Sequence, residues 1–126
     1  MKKALVGLVV FTALALGACS SDSGGGGPIE GQDVTVEMFD NRYQYTEIRI
    51  PVGGSVTWLG AGANAHNAVD SDKKWSTETV FGSLEQFDGD TAVLTYSEPG
   101  EYTFYCTFHG NAEGAGMAGK LIVGGG

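Results

Sequence analysis

The chain has 126 residues, a net charge of −8, 42% hydrophobic residues, two cysteines and two histidines. This length favours one globular domain, because domains typically contain about 100–200 residues. Without Lys2 and Lys3, which lie in a predicted leader, five basic residues remain against 15 acidic ones, a net charge of −10. Such acidity excludes a basic surface for nucleic acid, and two histidines are too few for a multinuclear metal centre.

Residues 1–18 are predicted to be an export signal. A cationic start precedes an apolar run at 4–15, which is shorter than the ~20 apolar residues of a membrane-spanning helix. The tetrapeptide at 16–19 (LGAC) resembles the lipobox of bacterial lipoproteins. This resemblance implies lipid on Cys19 and an exported protein anchored at the periplasmic or extracytoplasmic face of the bacterial membrane. The alternative is an ordinary signal peptide followed by a chance cysteine.

The chain after the signal divides into three parts. Residues 19–33 are predicted to be the lipidated cysteine and a flexible tether, because 20–33 (SSDSGGGGPIEGQD) contain almost no apolar side chains. Residues 34–123 are predicted to form the folded domain. The three glycines at 124–126 are expected to form a loose tail.

The predicted domain has the pattern of strands. Runs rich in β-branched and aromatic residues alternate with polar positions and are separated by Gly, Pro and Asp. They lie at 34–39, 43–50, 55–59, 91–96, 101–106 and 120–123. The segment 73–90 is less clear and is compatible with a short helix or an irregular strand. About seven to eight short strands predict an all-β, Greek-key β-sandwich or barrel.

Four residues of the types that bind soft metals are candidate ligands, namely His66, Cys106, His109 and Met117. Cys106, His109 and Met117 lie in one segment that leaves a predicted strand and returns as the next one. Two imidazoles, one thiolate and a weakly bound thioether are the ligand set of a blue copper site. A lipidated Cys19 leaves Cys106 without a disulfide partner, which favours a metal-bound thiolate over a Cys19–Cys106 disulfide.

Four segments of the domain resemble the cupredoxins, and most closely the plastocyanin-like small blue copper proteins. They are 50–58 (IPVGGSVTW), 65–69 (AHNAV), 99–106 (PGEYTFYC) and 114–123 (GAGMAGKLIV). The resemblance implies a cupredoxin-like sandwich that holds one type 1 copper. The implied ligands are His66, Cys106, His109 and Met117.

The spacing after His109 departs from the family pattern. Seven residues separate His109 from Met117, which is more than plastocyanin-like members usually have. Glu113 is therefore an alternative axial ligand, because it stands four positions after His109, at the offset of the azurin branch. A carboxylate there would lower the reduction potential. The Gly-Ala-Gly-Met-Ala-Gly context favours Met117.

Two further residues are assigned from the resemblance. Asn67 resembles the family residue that ties the His66 loop to the segment around Cys106, although an asparagine is also common in turns. Tyr105 points away from the metal by strand alternation. Together with His109 it marks a candidate electron-transfer route, and the alternative for Tyr105 is an ordinary surface tyrosine.

The expected function is one-electron transfer outside the cytoplasmic membrane, not catalysis. We expect a monomer whose exposed His109 edge is the port for electrons. The acidic surface suits a basic redox partner such as a c-type cytochrome. Two histidines are too few for a nitrite reductase or a multicopper oxidase. The alternatives are a copper carrier or chaperone lipoprotein, and an Ig-like lipoprotein without metal.

Overall fold

The computed structural model describes residues 26–125, so the predicted signal at 1–18 and Cys19 lie outside the described residues. This part of the chain contains nine β-strands and one short helix. They are β1 (Pro28–Glu30), β2 (Asp33–Phe39), β3 (Arg42–Tyr43), β4 (Glu47–Ile50), β5 (Gly54–Gly60), β6 (Val69–Asp70), α1 (Glu78–Phe81), β7 (Thr91–Tyr96), β8 (Gly100–Gly110) and β9 (Gly116–Val123). Among residues 26–125, no helix has the length and apolar character needed to cross a membrane.

The strands form two mixed sheets. One has five strands in the order β1-β4-β9-β8-β6, and the other has four in the order β3-β2-β5-β7. The chain passes between the sheets from β4 to β5 and from β7 to β8, while β2 pairs with β5 and β4 with β9 in parallel. The predicted all-β sandwich is confirmed. The count exceeds the predicted seven to eight, because β1 and the two-residue β6 are too short to show a periodic pattern and the predicted run 43–50 is interrupted at 44–46, which separates β3 from β4.

Alternating side chains build the core between the sheets. Along β5 every second residue is buried, and Trp58 is fully enclosed. The Trp58 ring lies 5.9 Å from Tyr43 and 5.0 Å from Phe104, both in edge-on arrangements. Such aromatic pairs add about 0.5–1.5 kcal/mol beyond the burial of their surface. Phe104 is two positions before Cys106 on β8, so the same core supports the strand that carries the thiol.

The folded part begins earlier than the predicted boundary at Val34. Residues 28–30, which the glycine-rich composition placed in the tether at 19–33, form β1 in parallel with Glu47–Arg49 of β4. Ile29 packs against the core, and the Gly31 amide donates a hydrogen bond of 3.1 Å to the Arg49 carbonyl. A single apolar residue among glycines gave too weak a signal to predict this strand.

The segment 73–90 contains the short helix that its pattern allowed. Helix α1 spans Glu78–Phe81 and ends at Gly82, which has a φ of 93° and donates its amide to the Glu78 carbonyl. Glycine suits this left-handed position because it has no Cβ. Beyond the helix, Gln86 is buried and lies against the loop that carries His66.

Candidate metal centre

Three of the predicted ligands meet at one site: His66 lies in the loop that follows β5, and Cys106 and His109 lie on the C-terminal half of β8. The Sγ atom of Cys106 lies 3.9 Å from Nδ1 of His66 and 3.7 Å from Nδ1 of His109. Ligand atoms of the three residues all lie within 4.8 Å of one another. Two imidazole nitrogens and one sulfur therefore face each other, which is the donor chemistry of a site for a soft transition metal.

His66 is held firmly on both its backbone and its ring. The residue is fully buried, and its backbone exchanges two hydrogen bonds with Gln86, of 2.9 and 3.1 Å. On the ring, Nε2 lies 2.9 Å from Oδ1 of Asp40, while Nδ1 faces Cys106. The carboxylate and the thiol thus contact opposite nitrogens of one imidazole.

Asn67 connects the His66 loop to the Cys106 strand. Its side-chain amide donates to the Thr107 hydroxyl at 2.8 Å and to the Leu84 carbonyl at 2.9 Å, and its side-chain oxygen accepts the Thr107 amide at 3.0 Å. Asn67 is fully buried. These hydrogen bonds join three segments and fix the residue that follows Cys106.

Tyr43 supports the same loop from the core. Its hydroxyl donates a hydrogen bond of 2.7 Å to the backbone carbonyl of Asn67. Burial, followed by charge repulsion from Cys106 and Tyr105, raises the pKa of Tyr43 well above its ordinary value. The hydroxyl therefore remains a donor to the loop at any pH near neutrality.

Tyr105 alternates with the two buried residues beside it on β8. Phe104 and Cys106 are fully buried, whereas Tyr105 is half-buried and pairs with Val69 and Ala118 in the sheet. Its side chain therefore points away from the metal cluster, as the strand period predicted.

His109 lies at the surface edge of the cluster. It is half-buried at the end of β8 and lines a shallow cleft with Phe108, Gly110, Asn111, Ala115 and Gly116. Phe108 is 46% exposed. The ring of His109 is centred 5.0 Å from that of His66, so a molecule in the cleft would lie one imidazole away from the buried part of the site.

The long loop after His109 folds into a turn that is closed by its own side chains. Gly110 pairs with Gly116, and Oδ1 of Asn111 accepts the amides of Glu113 and Ala115, both at 3.1 Å. A Cβ on Gly110 would lie 2.4 Å from the Met117 carbonyl oxygen, so the base of the turn needs glycine. The extra residues thus project outward.

The two candidate axial ligands differ in burial. Met117 is 1% exposed on β9 and belongs to the same buried cluster as Cys106. Glu113 is exposed and lines a surface groove with Thr103 and Lys120. Among the described residues, the His–Cys cluster does not include Glu113.

Sequence reasoning missed Asp40, which follows β2 and contacts His66. Its carboxylate accepts the ring hydrogen bond and the amides of Asn64 and Ala63, at 3.1 and 3.2 Å. The bond with His66, followed by those from Asn64 and Ala63, lowers the pKa of Asp40. The sequence signal was weak, because Asp40 stands 26 positions before His66 and resembles an ordinary turn residue after a strand.

The fold and the cluster define a small β-sandwich metalloprotein with a Cys–His–His centre. A family model described as copper binding proteins of the plastocyanin/azurin family matches residues 32–124, and the chain belongs to this family. Its cofactor is copper. His66, Cys106 and His109 are positioned as in a type 1 copper site.

Three relatives illustrate the similarity. The chloroplastic plastocyanin B of Populus nigra is 35% identical over 85 residues, which cover 62% of this chain and 49% of that protein. The chain thus spans about half the length of that relative. Amicyanin of Paracoccus denitrificans is 27% identical over 90 residues, covering 71% and 64%. A solved purple cupredoxin from Nitrosopumilus maritimus has a TM-score of 0.51 and 25% identity, covering 64% of this chain and 80% of its own.

Proposed function

We propose that the protein is a one-electron carrier with a single type 1 copper site. The proposed ligands are Nδ1 of His66, Sγ of Cys106 and Nδ1 of His109, with Met117 as the weak axial ligand. The observation that carries this proposal is the buried cluster, in which both Nδ1 atoms lie within 4 Å of the sulfur. When bound, copper supplies the chemistry by changing between Cu(II) and Cu(I) in this ligand set.

The chain's own residues favour electron transfer by resisting rearrangement. His66 is fixed by its backbone bonds to Gln86 and Cys106 lies on a strand of the core. Asn67 holds the residue after Cys106. Because these donors have little freedom to move, both oxidation states would experience nearly the same ligand positions, and the reorganisation on electron transfer would be small.

The proposed electron port is the half-buried edge of His109. Glycine and alanine residues around it allow close approach, and the exposed ring of Phe108 offers an apolar contact. The net charge of −8 suits a basic redox partner such as a c-type cytochrome. Tyr105, on the outer face of β8, is proposed as a secondary route.

We propose further that the mature protein is a monomer tethered to the outside of the cytoplasmic membrane by lipid on Cys19. The support is the LGAC tetrapeptide after an apolar run, followed by a glycine-rich stretch. In a bacterial host, wild-type chain should fractionate with membranes and incorporate labelled fatty acid. Cys19→Ala should do neither, and equal labelling of both chains would contradict the anchor.

Electron transfer is tested by rapid mixing of the Cu(II)-loaded protein with reduced cytochrome c, a basic haem protein. We expect the cytochrome to be oxidised in a single-exponential phase whose rate falls with ionic strength, because the charges are opposite. Cys106→Ser is the matched control and should not react. A loaded protein that does not oxidise the cytochrome, or any other one-electron donor, would contradict the proposal.

The same preparation separates an electron carrier from a copper chaperone. A closed Cys–His–His site should retain its metal for hours against a competing chelator such as EDTA, because copper release needs movement of buried donors. A chaperone should release copper within the mixing time. Fast release together with no electron transfer would support the chaperone.

A further inference from the structure

We infer that Asp40 is a positioning residue that fixes the tautomer and the donor strength of the metal ligand His66. This inference rests on the proposed copper function, because it assigns Nδ1 of His66 to copper. Asp40 is not one of the predicted ligands. It contacts the site only through Nε2 of His66, the ring nitrogen opposite the proposed copper ligand.

The two ring nitrogens of His66 have different partners: Nε2 contacts the Asp40 carboxylate and Nδ1 faces the Cys106 thiol. Nε2 lies 2.9 Å from Oδ1 of Asp40, and Nδ1 lies 3.9 Å from Sγ of Cys106. A carboxylate can only accept a hydrogen bond, so the ring donates its proton from Nε2. In the neutral ring, Nδ1 is then left with a free lone pair on the side where the thiol and the second imidazole lie.

The Asp40 carboxylate is itself held in place by backbone hydrogen bonds. The amides of Ala63 and Asn64 donate to its two oxygens at 3.2 and 3.1 Å. Gly62 permits this approach, because a Cβ there would lie 2.5 Å from Oδ1 of Asp40. The side chain of Asp40 is 37% exposed, whereas that of His66 is completely buried. A partly solvated charge is thus fixed against a buried ligand.

A negative charge on the outer nitrogen of a metal-bound imidazole raises its basicity and orients the ring. The stronger donor stabilises Cu(II) more than Cu(I), because Cu(II) carries the larger charge. Asp40 therefore lowers the reduction potential of the site relative to one with a neutral partner on Nε2.

The alternative is that Asp40 only closes the turn at 62–64 and has no influence on the metal. Asp40→Asn separates the two roles, because it keeps the size and an acceptor oxygen but removes the charge. Asp88→Asn is the matched control, since Asp88 is an exposed acid in the neighbouring loop and lies outside the metal cluster. Both variants change the net charge by the same amount.

The copper experiment measures Cu(II) affinity and midpoint potential for the full-length wild type and the two variants. Loss of an outer partner of a metal ligand typically costs about 10–100-fold in affinity. We expect a Cu(II) affinity at least tenfold weaker in Asp40→Asn, with a smaller effect on Cu(I). The potential should rise by about 59 mV for each tenfold by which the loss of Cu(II) affinity exceeds the loss of Cu(I) affinity. Asp88→Asn should match wild type.

A metal-free measurement tests the same inference without copper. In ¹⁵N-labelled wild type, at a pH where the spectrum shows a neutral His66 ring, its two nitrogens should show distinct shifts, with Nε2 protonated and Nδ1 bare. Asp40→Ala should average the two shifts, because the tautomer is no longer fixed. A neutral His66 ring with its proton on Nδ1 and none on Nε2 in wild type would overturn the inference.

The outcomes distinguish this inference from the proposed function. Wild type that binds no copper but shows the Nε2–H tautomer would contradict the copper proposal while leaving the fixed tautomer in place. Wild type that is blue, with Asp40→Asn equal to Asp88→Asn in affinity and potential, would overturn the role of Asp40. A reduction potential that rises in Asp40→Asn but not in Asp88→Asn supports the role of Asp40.

Discussion

The two histidines of the cluster have opposite environments. His66 is fully buried, with backbone bonds to Gln86 and a ring bond to Asp40. His109 is half-buried at the start of a glycine-rich turn, in a cleft that is open to the surface. The same side chain thus serves once as a fixed internal donor and once as a donor at the boundary with solvent.

This difference explains how the proposed electron carrier would hold a metal firmly and still exchange electrons. The buried half of the site, formed by His66 and Cys106, supplies rigidity. The exposed half, formed by His109 and the turn at 110–116, supplies access. Rigidity comes from hydrogen bonds between segments that are far apart in the chain, such as those of Asn67.

Removal of each imidazole is the strongest test of this comparison. In His109→Gly the missing ring leaves an opening to solvent, so added imidazole should restore Cu(II) binding and the blue colour. In His66→Gly the missing ring leaves an enclosed space beside Asp40, so imidazole should not restore the site. Absorbance during Cu(II) titration, with and without imidazole, measures both. Equal rescue of the two variants would contradict the assignment of a closed and an open side.

Much of this arrangement was predictable, and the reason differs from residue to residue. Strands β2, β5 and β7 could be predicted because apolar and polar residues alternate along them with a period of two. His109 and Met117 share one segment with Cys106, so their grouping needed only the order of the residues. Asp40 and Gln86 were not predictable, because their contacts with His66 depend on long-range pairing and no local pattern distinguishes them from turn residues.

A second test compares two asparagines, one on each side of the site. Asn67→Ala removes three hydrogen bonds of a buried side chain and leaves their partners unpaired, which should lower the free energy of unfolding by about 2 kcal/mol. Asn111→Ala removes two bonds in an exposed turn and should cost about 0.5 kcal/mol. Urea unfolding of the metal-free variants measures both. A larger loss in Asn111→Ala would reverse the comparison.

A third test concerns the port at His109. Phe108→Glu places a negative charge beside the cleft, so two copies should repel each other at this surface during electron self-exchange. We expect the self-exchange rate to fall about tenfold, equivalent to about 1.4 kcal/mol. Val93→Glu is the control, because Val93 is 53% exposed on β7. NMR line broadening in mixed Cu(I) and Cu(II) samples measures the rate, and similar slowing in both variants would place the port elsewhere.

The last test concerns Tyr43, which supports the buried half of the site and whose effect appears only at alkaline pH. Burial raises the pKa of Tyr43 in the folded protein, so its full contribution to stability is present below pH of about 10. Above that pH the unfolded chain loses this proton while the folded protein keeps it. The free energy of unfolding should then fall, by at most about 1.4 kcal/mol per pH unit for this group.

Urea unfolding between pH 9 and pH of about 11.5 measures this slope. In Tyr43→Phe the slope above pH of about 10 should be shallower than in wild type, because one titrating group is gone. Identical slopes in the two chains would show that Tyr43 does not couple folding to alkaline pH.

The central claim is that His66, Cys106 and His109 bind one copper ion as a type 1 site. Titration of the purified protein with Cu(II), followed by visible absorbance, tests it most directly. The intense blue thiolate-to-copper band should grow to one equivalent per chain, bleach on reduction, return on reoxidation, and be absent in Cys106→Ser. A protein that stays colourless with excess Cu(II), or whose band survives in Cys106→Ser, would contradict the claim.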